Sequence, residues 1–300
     1  MIIEAKNATK KFGQMVAVDG ASFAVKQGEV VGFVGANGAG KSTMINMLLG
    51  FISPTEGEVA LFDDRVELAQ AHRPHAAIGY AAGDMALPDS LTAAQYFDFV
   101  AHQYGADVSV RQGELIKRFS PELHKKIREL SRGNKQKIAL IAAFLASPKL
   151  VILDEPTSGL DPLMQERFLE LVREEQAKGT TIFMSSHYLG EVADVCTRVL
   201  LMREGAIIDD VSAKELLSRG GKMIRIVTGY TRTAAPRGAE AVTRDEVDGK
   251  LVLEFNWKHD AAKLQTWLAG VKQLHDVEIS EYSLETAFAG LYETEGKVAA

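Results

Sequence analysis

The chain is poor in several things, and each absence narrows what it can be. Its 300 residues hold one cysteine, Cys196, which excludes an internal disulfide framework and fits a reducing compartment. A lone cysteine reads as a small buried hydrophobe before it reads as a catalytic thiol. No uncharged apolar run approaches the ~20 residues that cross a bilayer. The longest candidate, Ile138 to Ala146, is flanked by Lys137 and Lys149. The opening Met1-Ile2-Ile3-Glu4-Ala5-Lys6 is too poor in apolar residues for a signal peptide. Positive charge is not in excess: the formal net charge is −6, so no global electrostatic case exists for nucleic-acid binding. Internal repeats and low-complexity segments are also missing.

What is present is an ordinary globular composition, 46% hydrophobic and 25% charged, long enough for one large domain or two smaller ones. Within it stands Gly35-Ala36-Asn37-Gly38-Ala39-Gly40-Lys41-Ser42-Thr43. This matches G-x-x-x-x-G-K-[ST], a loop that cradles phosphate. Glycines let backbone N–H groups turn inward around an anion. Lys41 brings a charge to the outer phosphates, and the Ser42 hydroxyl suits Mg²⁺. The helix expected from about Lys41 aims its positive end at the same place. The apolar run Glu29 to Val34 before it reads as a buried strand, and Thr43 to Leu49 after it as a helix stopped by Gly50.

Along the rest of the chain, residues 2–30 and 57–62 read as strands, and Ile78-Gly79-Tyr80 as a buried strand end. Thr92-Ala93-Ala94-Gln95 is a capping box, opening a helix whose Tyr96, Phe97, Phe99, Val100 and Tyr104 read as core packing. Arg111 to Phe119 and Lys135 to Ala146 read as further helices. Leu150 to Leu153 is an aliphatic run typical of a central parallel strand. It is followed by helix Pro162–Lys178, strand Thr180–Met184, helix Leu189–Cys196 and strand Val199–Met202, with Gly205 to Ile208 extending a hairpin. This alternation predicts an α/β fold with right-handed crossovers. Ser212-Ala213-Lys214-Glu215 caps a short helix ending near Gly220, where a domain boundary is expected. Beyond it, strands at 223–227, 250–255 and 277–279, a helix over 260–268 and a last helix capped by Ser283 predict a small α+β appendage.

A phosphate loop needs a metal-holding carboxylate. Asp154 stands at the end of the aliphatic strand, where it could hold Mg²⁺ directly or through water. Neighbours at a strand end point opposite ways, so Glu155 could project into the site and polarise a water for attack on the terminal phosphate.

Here the sequence resembles the ATP-binding cassette (ABC) ATPases, over residues 1 to about 210. Leu130-Ser131-Arg132-Gly133-Asn134 resembles the signature L-S-G-G-Q. Ser158-Gly159-Leu160-Asp161 is similar to the loop after the Walker B strand. His187 sits where the family has its switch histidine, and Phe12 resembles the aromatic that stacks on adenine. The resemblance implies a P-loop NTPase (RecA-like) core with an N-terminal antiparallel β-subdomain and a helical signature subdomain at about 84–146. These make an ATP-binding domain over 1–220, with an α+β accessory domain over 221–300. It implies ATP and Mg²⁺ as cofactors. Phe12, Gly35, Asn37, Gly38, Ala39, Gly40, Lys41, Ser42, Thr43, Ser131, Gly133 and Asp161 would lie at the nucleotide, Ser42 and Asp154 at the metal, and Glu155 and His187 would act in catalysis.

It also implies a head-to-tail pair. The P-loop of one copy and the signature of a second copy, or of a related subunit, would hold each ATP between them. A separate integral membrane permease would complete the transporter, with this chain cytoplasmic and peripheral on the membrane's cytoplasmic face. Ser283-Leu284-Glu285-Thr286-Ala287-Phe288 resembles the S-L-E-x-x-F motif near the ends of exporter subunits, which points to export. Two departures stand out: Arg132 and Asn134 replace the commoner signature Gly and Gln, and Gly83 stands where a Q-loop Gln is expected, which suggests a hinge with weaker metal coupling. The alternatives are a non-transport cassette factor in translation or DNA repair, whose usual second cassette, coiled-coil insertion or basic arm is missing here, and a small-molecule P-loop kinase, which would need neither Ser131-Arg132-Gly133 nor His187.

Overall fold

The structure is a computed structural model that describes residues 1–68, 77–83, 87–104, 107–186 and 195–281. The chain divides into two compact units, Met1–Val211 and Ser212–Ala300.

The first unit begins with β1 (Ile3–Phe12) and β2 (Met15–Val25), an antiparallel pair. With β4 (Glu56–Leu61) and β5 (Asp64–Arg65) they form a sheet in the order β2-β1-β4-β5. A second sheet has six strands in the order β10-β9-β3-β8-β7-β6. These are β3 (Val30–Val34), β6 (Ile78–Ala81), β7 (Leu150–Leu153), β8 (Thr181–Ser186), β9 (Arg198–Arg203) and β10 (Ala206–Ser212). From β9 to β6 the pairings are parallel, and β3, β7 and β8 are buried along their whole length. Such aliphatic runs, covered on both faces, are what parallel sheets require. Phe23 from the first sheet and Phe33 and Phe183 from the second form one ring cluster, Phe33 and Phe183 lying 5.2 Å apart. Helix α1 (Lys41–Leu48) adds Met44, Ile45, Met47 and Leu48 to the same core.

Four more helices among the described residues belong to this unit: α2 (Ala93–Tyr104), α3 (Ser109–Phe119), α4 (Arg132–Phe144) and α5 (Pro162–Ala177). The capping box before α2 closes both ways: Thr92 N–H donates to Gln95 Oε1 at 2.9 Å and Gln95 N–H to Thr92 Oγ1 at 3.3 Å. Helix α4 starts at Arg132, earlier than the sequence suggests, because Ser131 is its cap and accepts from the Asn134 amide. The α2 aromatic stripe is a correction to the core-packing expectation. Only Phe97 is wholly buried, while Phe99 is 53% exposed. Tyr96, Phe99, Val100 and Tyr104 line an open groove of about 400 Å³ together with Phe51 and Tyr80. Sequence periodicity shows that a helix face is apolar; it does not show what covers that face.

The second unit carries α6 (Ala213–Gly220), capped by Ser212. Its sheet contains β11 (Lys222–Thr228), β12 (Glu240–Val247), β13 (Lys250–Trp257) and β14 (Leu274–Glu281), ordered β12-β13-β11-β14. Helix α7 (Ala261–Ala269) contributes Leu264 to a core with Ile224, Ile226, Leu253, Phe255 and Trp257. Strand β12 is absent from the sequence reading. Every one of its residues is exposed, so it shows no alternation of burial. The Asp248-Gly249 turn that joins it to β13 has positive φ at both residues, as tight hairpins favour. The expected helices over 189–196 and after Ser283 lie, apart from Val195 and Cys196, outside the described residues.

No helix among the described residues is long and apolar enough to cross a membrane.

Candidate functional site

The loop after β3 is built by close approach. Gly40 caps α1 at φ +105°, and a Cβ there would lie 2.3 Å from the Ala17 carbonyl oxygen. A Cβ on Gly35 would come as close to the carbonyl of Met202. Both positions therefore admit only glycine. Lys41 is buried to 6% exposure; its Nζ donates to the carbonyl of Gly35 at 2.7 Å and sits 3.5 Å from Glu155 Oε1. The loop thus holds a desolvated cation at the base of a cavity, beside the N-terminal turn of α1, where free amides favour anions.

Asp154 and Glu155 follow β7. The Ser185 hydroxyl, on neighbouring β8, donates to Asp154 Oδ1 at 2.5 Å and accepts from the Glu155 amide at 2.9 Å. Glu155 adopts φ +51°, a left-handed conformation that strains a residue with a Cβ. The strand-end rule, with neighbours pointing apart, does not describe this pair. The twist at Glu155 lets both carboxylates line one cavity.

That cavity has a volume of about 840 Å³. Asn37, Gly38, Gly40, Lys41, Ser42 and Thr43 form one wall, and Asp154, Glu155, Gly83 and Ser158 another. Gly35 and Ala39 lie in the loop but do not line it. Gly83 presses its backbone toward Asp154: a Cβ there would meet the Asp154 carbonyl oxygen at 3.2 Å and Cγ at 3.4 Å.

The structure does not bring every expected residue here. Phe12 is 47% exposed, lies under Lys10 Nζ at 5.3 Å and does not line the cavity; Met15, Val16 and Ala17 do. Asp161 caps α5, accepting from the Met164 amide at 3.0 Å, and Ser131 caps α4. Neither lines the cavity, and nor does Gly133. His187 lies outside the described residues. Cys196 is buried away from the cavity, and that burial pushes its thiol pKa up, so the thiolate is disfavoured.

Sequence reasoning missed a seam between α4 and the segment after Glu155. Gln136, fully buried, donates to the Pro156 carbonyl at 2.7 Å. Gly133 approaches so closely that a Cβ would lie 2.7 Å from the Gly159 carbonyl oxygen. Arg132 Nη2 donates to Ser158 Oγ at 2.7 Å. A buried polar residue one turn into an apolar helix was the available signal for Gln136, as Ser185 in the run Ile182-Phe183-Met184-Ser185 was for the carboxylate bridge.

The ABC transporter family profile matches residues 18–158, from β2 through Ser158. The linearmycin resistance ATP-binding protein LnrL of Bacillus subtilis (strain 168) is 34% identical over 231 residues, covering 73% of this chain and 72% of LnrL. This chain belongs to the ABC transporter family. The probable multidrug ABC transporter ATP-binding protein YbhF of Escherichia coli (strain K12) is 37% identical over 225 residues, 71% of this chain but only 38% of YbhF. This cassette therefore spans well under half the length of that relative. Among solved structures, an ATP-binding subunit of an ABC transporter superposes with a TM-score of 0.66 at 28% identity, over 72% of this chain and 92% of the other. An α/β P-loop NTPase fold follows from this agreement and from the sheet order.

Proposed function

We propose that this chain binds and hydrolyses ATP to drive a membrane exporter formed with a separate permease. The observation that carries this reading is the meeting of Lys41, Ser42, Asp154 and Glu155 around one cavity at the start of α1. The amides of residues 37–43 and the Lys41 ammonium would receive the phosphates. Magnesium fits the donor set, which offers hard oxygens: the Ser42 hydroxyl and the Asp154 carboxylate, with nucleotide phosphates to complete the shell. Bound there, Mg²⁺ would neutralise charge developing on the phosphates.

Glu155 would hold and polarise the attacking water; Ser185 and the strained backbone fix its position. His187 is assigned beside it from the sequence alone. Ser131 and the Gly133 amide open α4, a second anion-binding helix terminus outside this cavity. In a head-to-tail pair they would meet the terminal phosphate held by the other copy, so pairing would depend on triphosphate. Asp161 would lie at that interface. Steady-state ATPase measurement on wild type and Glu155→Gln tests this reading: loss of turnover in the variant supports it, and a normal rate rejects it.

A permease is the partner that suits the groove on α2. Phe51 and Phe99 are 52% and 53% exposed there, a large apolar face for a chain without a membrane span among its described residues. Tyr80 lines both the groove and the nucleotide cavity, which gives a partner seated in one a direct neighbour in the other. Export follows the relatives named for linearmycin resistance and multidrug transport. Residues 221–300 act as an accessory domain, and the chain works on the cytoplasmic face of the membrane, where ATP is available.

A further inference from the structure

The second unit holds a cavity for which the reading above has no use. It lies where three stretches of chain meet: the segment between β11 and β12, the C-terminal end of α7, and the turn before β14. Its volume is about 380 Å³, within the range of small-molecule pockets. Tyr230, Trp267 and Val271 give it an apolar, largely aromatic lining, and Arg232 and Lys272 add two cations. Among the described residues, no acidic side chain lines it.

Those two cations are not neutralised from within the unit. Arg225 on β11 is paired with Glu254 at 3.2 Å, and Lys258 after β13 with Glu240 at 2.8 Å. Among the described residues, neither Arg232 nor Lys272 has a carboxylate within ion-pair reach. Lys272 Nζ lies instead over the Tyr230 ring, 5.6 Å from its centre.

Hydrogen bonds fix this lining in place. The Tyr230 carbonyl accepts from the Thr233 amide at 3.0 Å and from its hydroxyl at 2.7 Å, closing the turn that carries Arg232. The buried Thr228 hydroxyl donates to the Lys272 carbonyl at 2.7 Å and accepts from the Tyr230 amide at 3.0 Å, which pins Tyr230 beside Lys272. Trp267 Nε1 donates to the Ala234 carbonyl at 3.2 Å, and its ring stands edge-on to Phe255 with 5.2 Å between centres. Little freedom is left to lose when a ligand settles there.

We propose that this cavity binds a small planar organic acid, with its ring against Trp267 and its carboxylate held by Arg232 and Lys272, so that the second unit is a ligand-binding module. Aromatic rings pack on indole, and a guanidinium fork matches a carboxylate. An apolar pocket alone would take neutral compounds equally well; two cations without counter-ions select the acid. The proposal does not depend on the nucleotide site.

The chain has two tryptophans, Trp257 and Trp267, so two indole N–H resonances report on it. Trp257 is buried, bonds to the Asp260 carbonyl and does not line the cavity, which makes it the internal control. The full chain is titrated with 2-naphthoate and, separately, with the neutral 2-naphthamide, and both resonances are followed by ¹⁵N NMR. The acid should shift the Trp267 signal saturably and leave Trp257 nearly unmoved, and the amide should bind about tenfold more weakly. Arg232→Gln and Lys272→Gln, both at exposed positions, should each weaken the acid by about tenfold, the scale of one charge-assisted hydrogen bond. Equal affinity for acid and amide, no saturable shift at Trp267, or unchanged affinity in both variants overturns the proposal. So does sedimentation of the chain with phosphatidylglycerol vesicles that Arg232→Gln abolishes, if 2-naphthoate does not bind: the two cations would then serve a lipid surface.

Discussion

Gln136 Nε2 donates to the Pro156 carbonyl oxygen at 2.7 Å, inside a fully buried contact between α4 and the segment that follows Glu155. This bond ties the helix that opens at Ser131 to the carboxylate that would direct hydrolysis. Gln136→Met keeps the volume but leaves a buried carbonyl unpaired. Such a loss costs about 1–3 kcal/mol. Urea unfolding should show that loss, and ATPase turnover should fall further than nucleotide affinity, because the seam positions Glu155 and leaves the P-loop alone.

Ser185 supports the same carboxylates from the sheet. Its hydroxyl both donates to Asp154 and accepts from the Glu155 amide. Ser185→Ala removes both bonds at a wholly buried site. Expected outcomes are a stability loss of about 1–3 kcal/mol and a lower kcat, with apparent magnesium affinity reduced because Asp154 loses its fixed orientation. A magnesium titration of the ATPase rate reads the second effect.

Lys41→Ala should weaken ATP binding by tenfold or more, on the order expected for a charge-assisted contact in a water-poor pocket. The fold should persist, since among the described residues Lys41 bonds only to loop carbonyls and Glu155. Equilibrium titration with ATP, alongside far-ultraviolet circular dichroism, checks both parts.

Phe99→Asp places a charge in the α2 groove without touching the nucleotide cavity. Basal ATPase should be kept, while copurification with an integral membrane partner is lost. Phe97→Ala behaves differently. It empties a fully buried ring site and should cost about 3–5 kcal/mol.

Much of the site is legible in the sequence because its parts are local. Gly35 to Thr43 carries its own steric logic, and Asp154-Glu155 ends an aliphatic strand. What escaped reading is relational. Ser185, Gln136 and Arg132 act on residues far along the chain, and only the β7–β8 neighbourhood and the start of α4 bring them together. Met15 and Val16, at the start of β2, line the cavity where Phe12, at the end of β1, was expected. Strand β12 was invisible for the opposite reason: it buries nothing.

The account stands on triphosphate joining two copies, each lending one half of the pocket. Sedimentation velocity of Glu155→Gln with magnesium reads this directly, since water activation is lost while Lys41, Ser42 and Asp154 remain. With ATP the chain should sediment as a dimer, with ADP as a monomer, and Ser131→Arg added to the same chain should abolish the dimer while ATP stays bound. A monomer in ATP as well as in ADP contradicts the account.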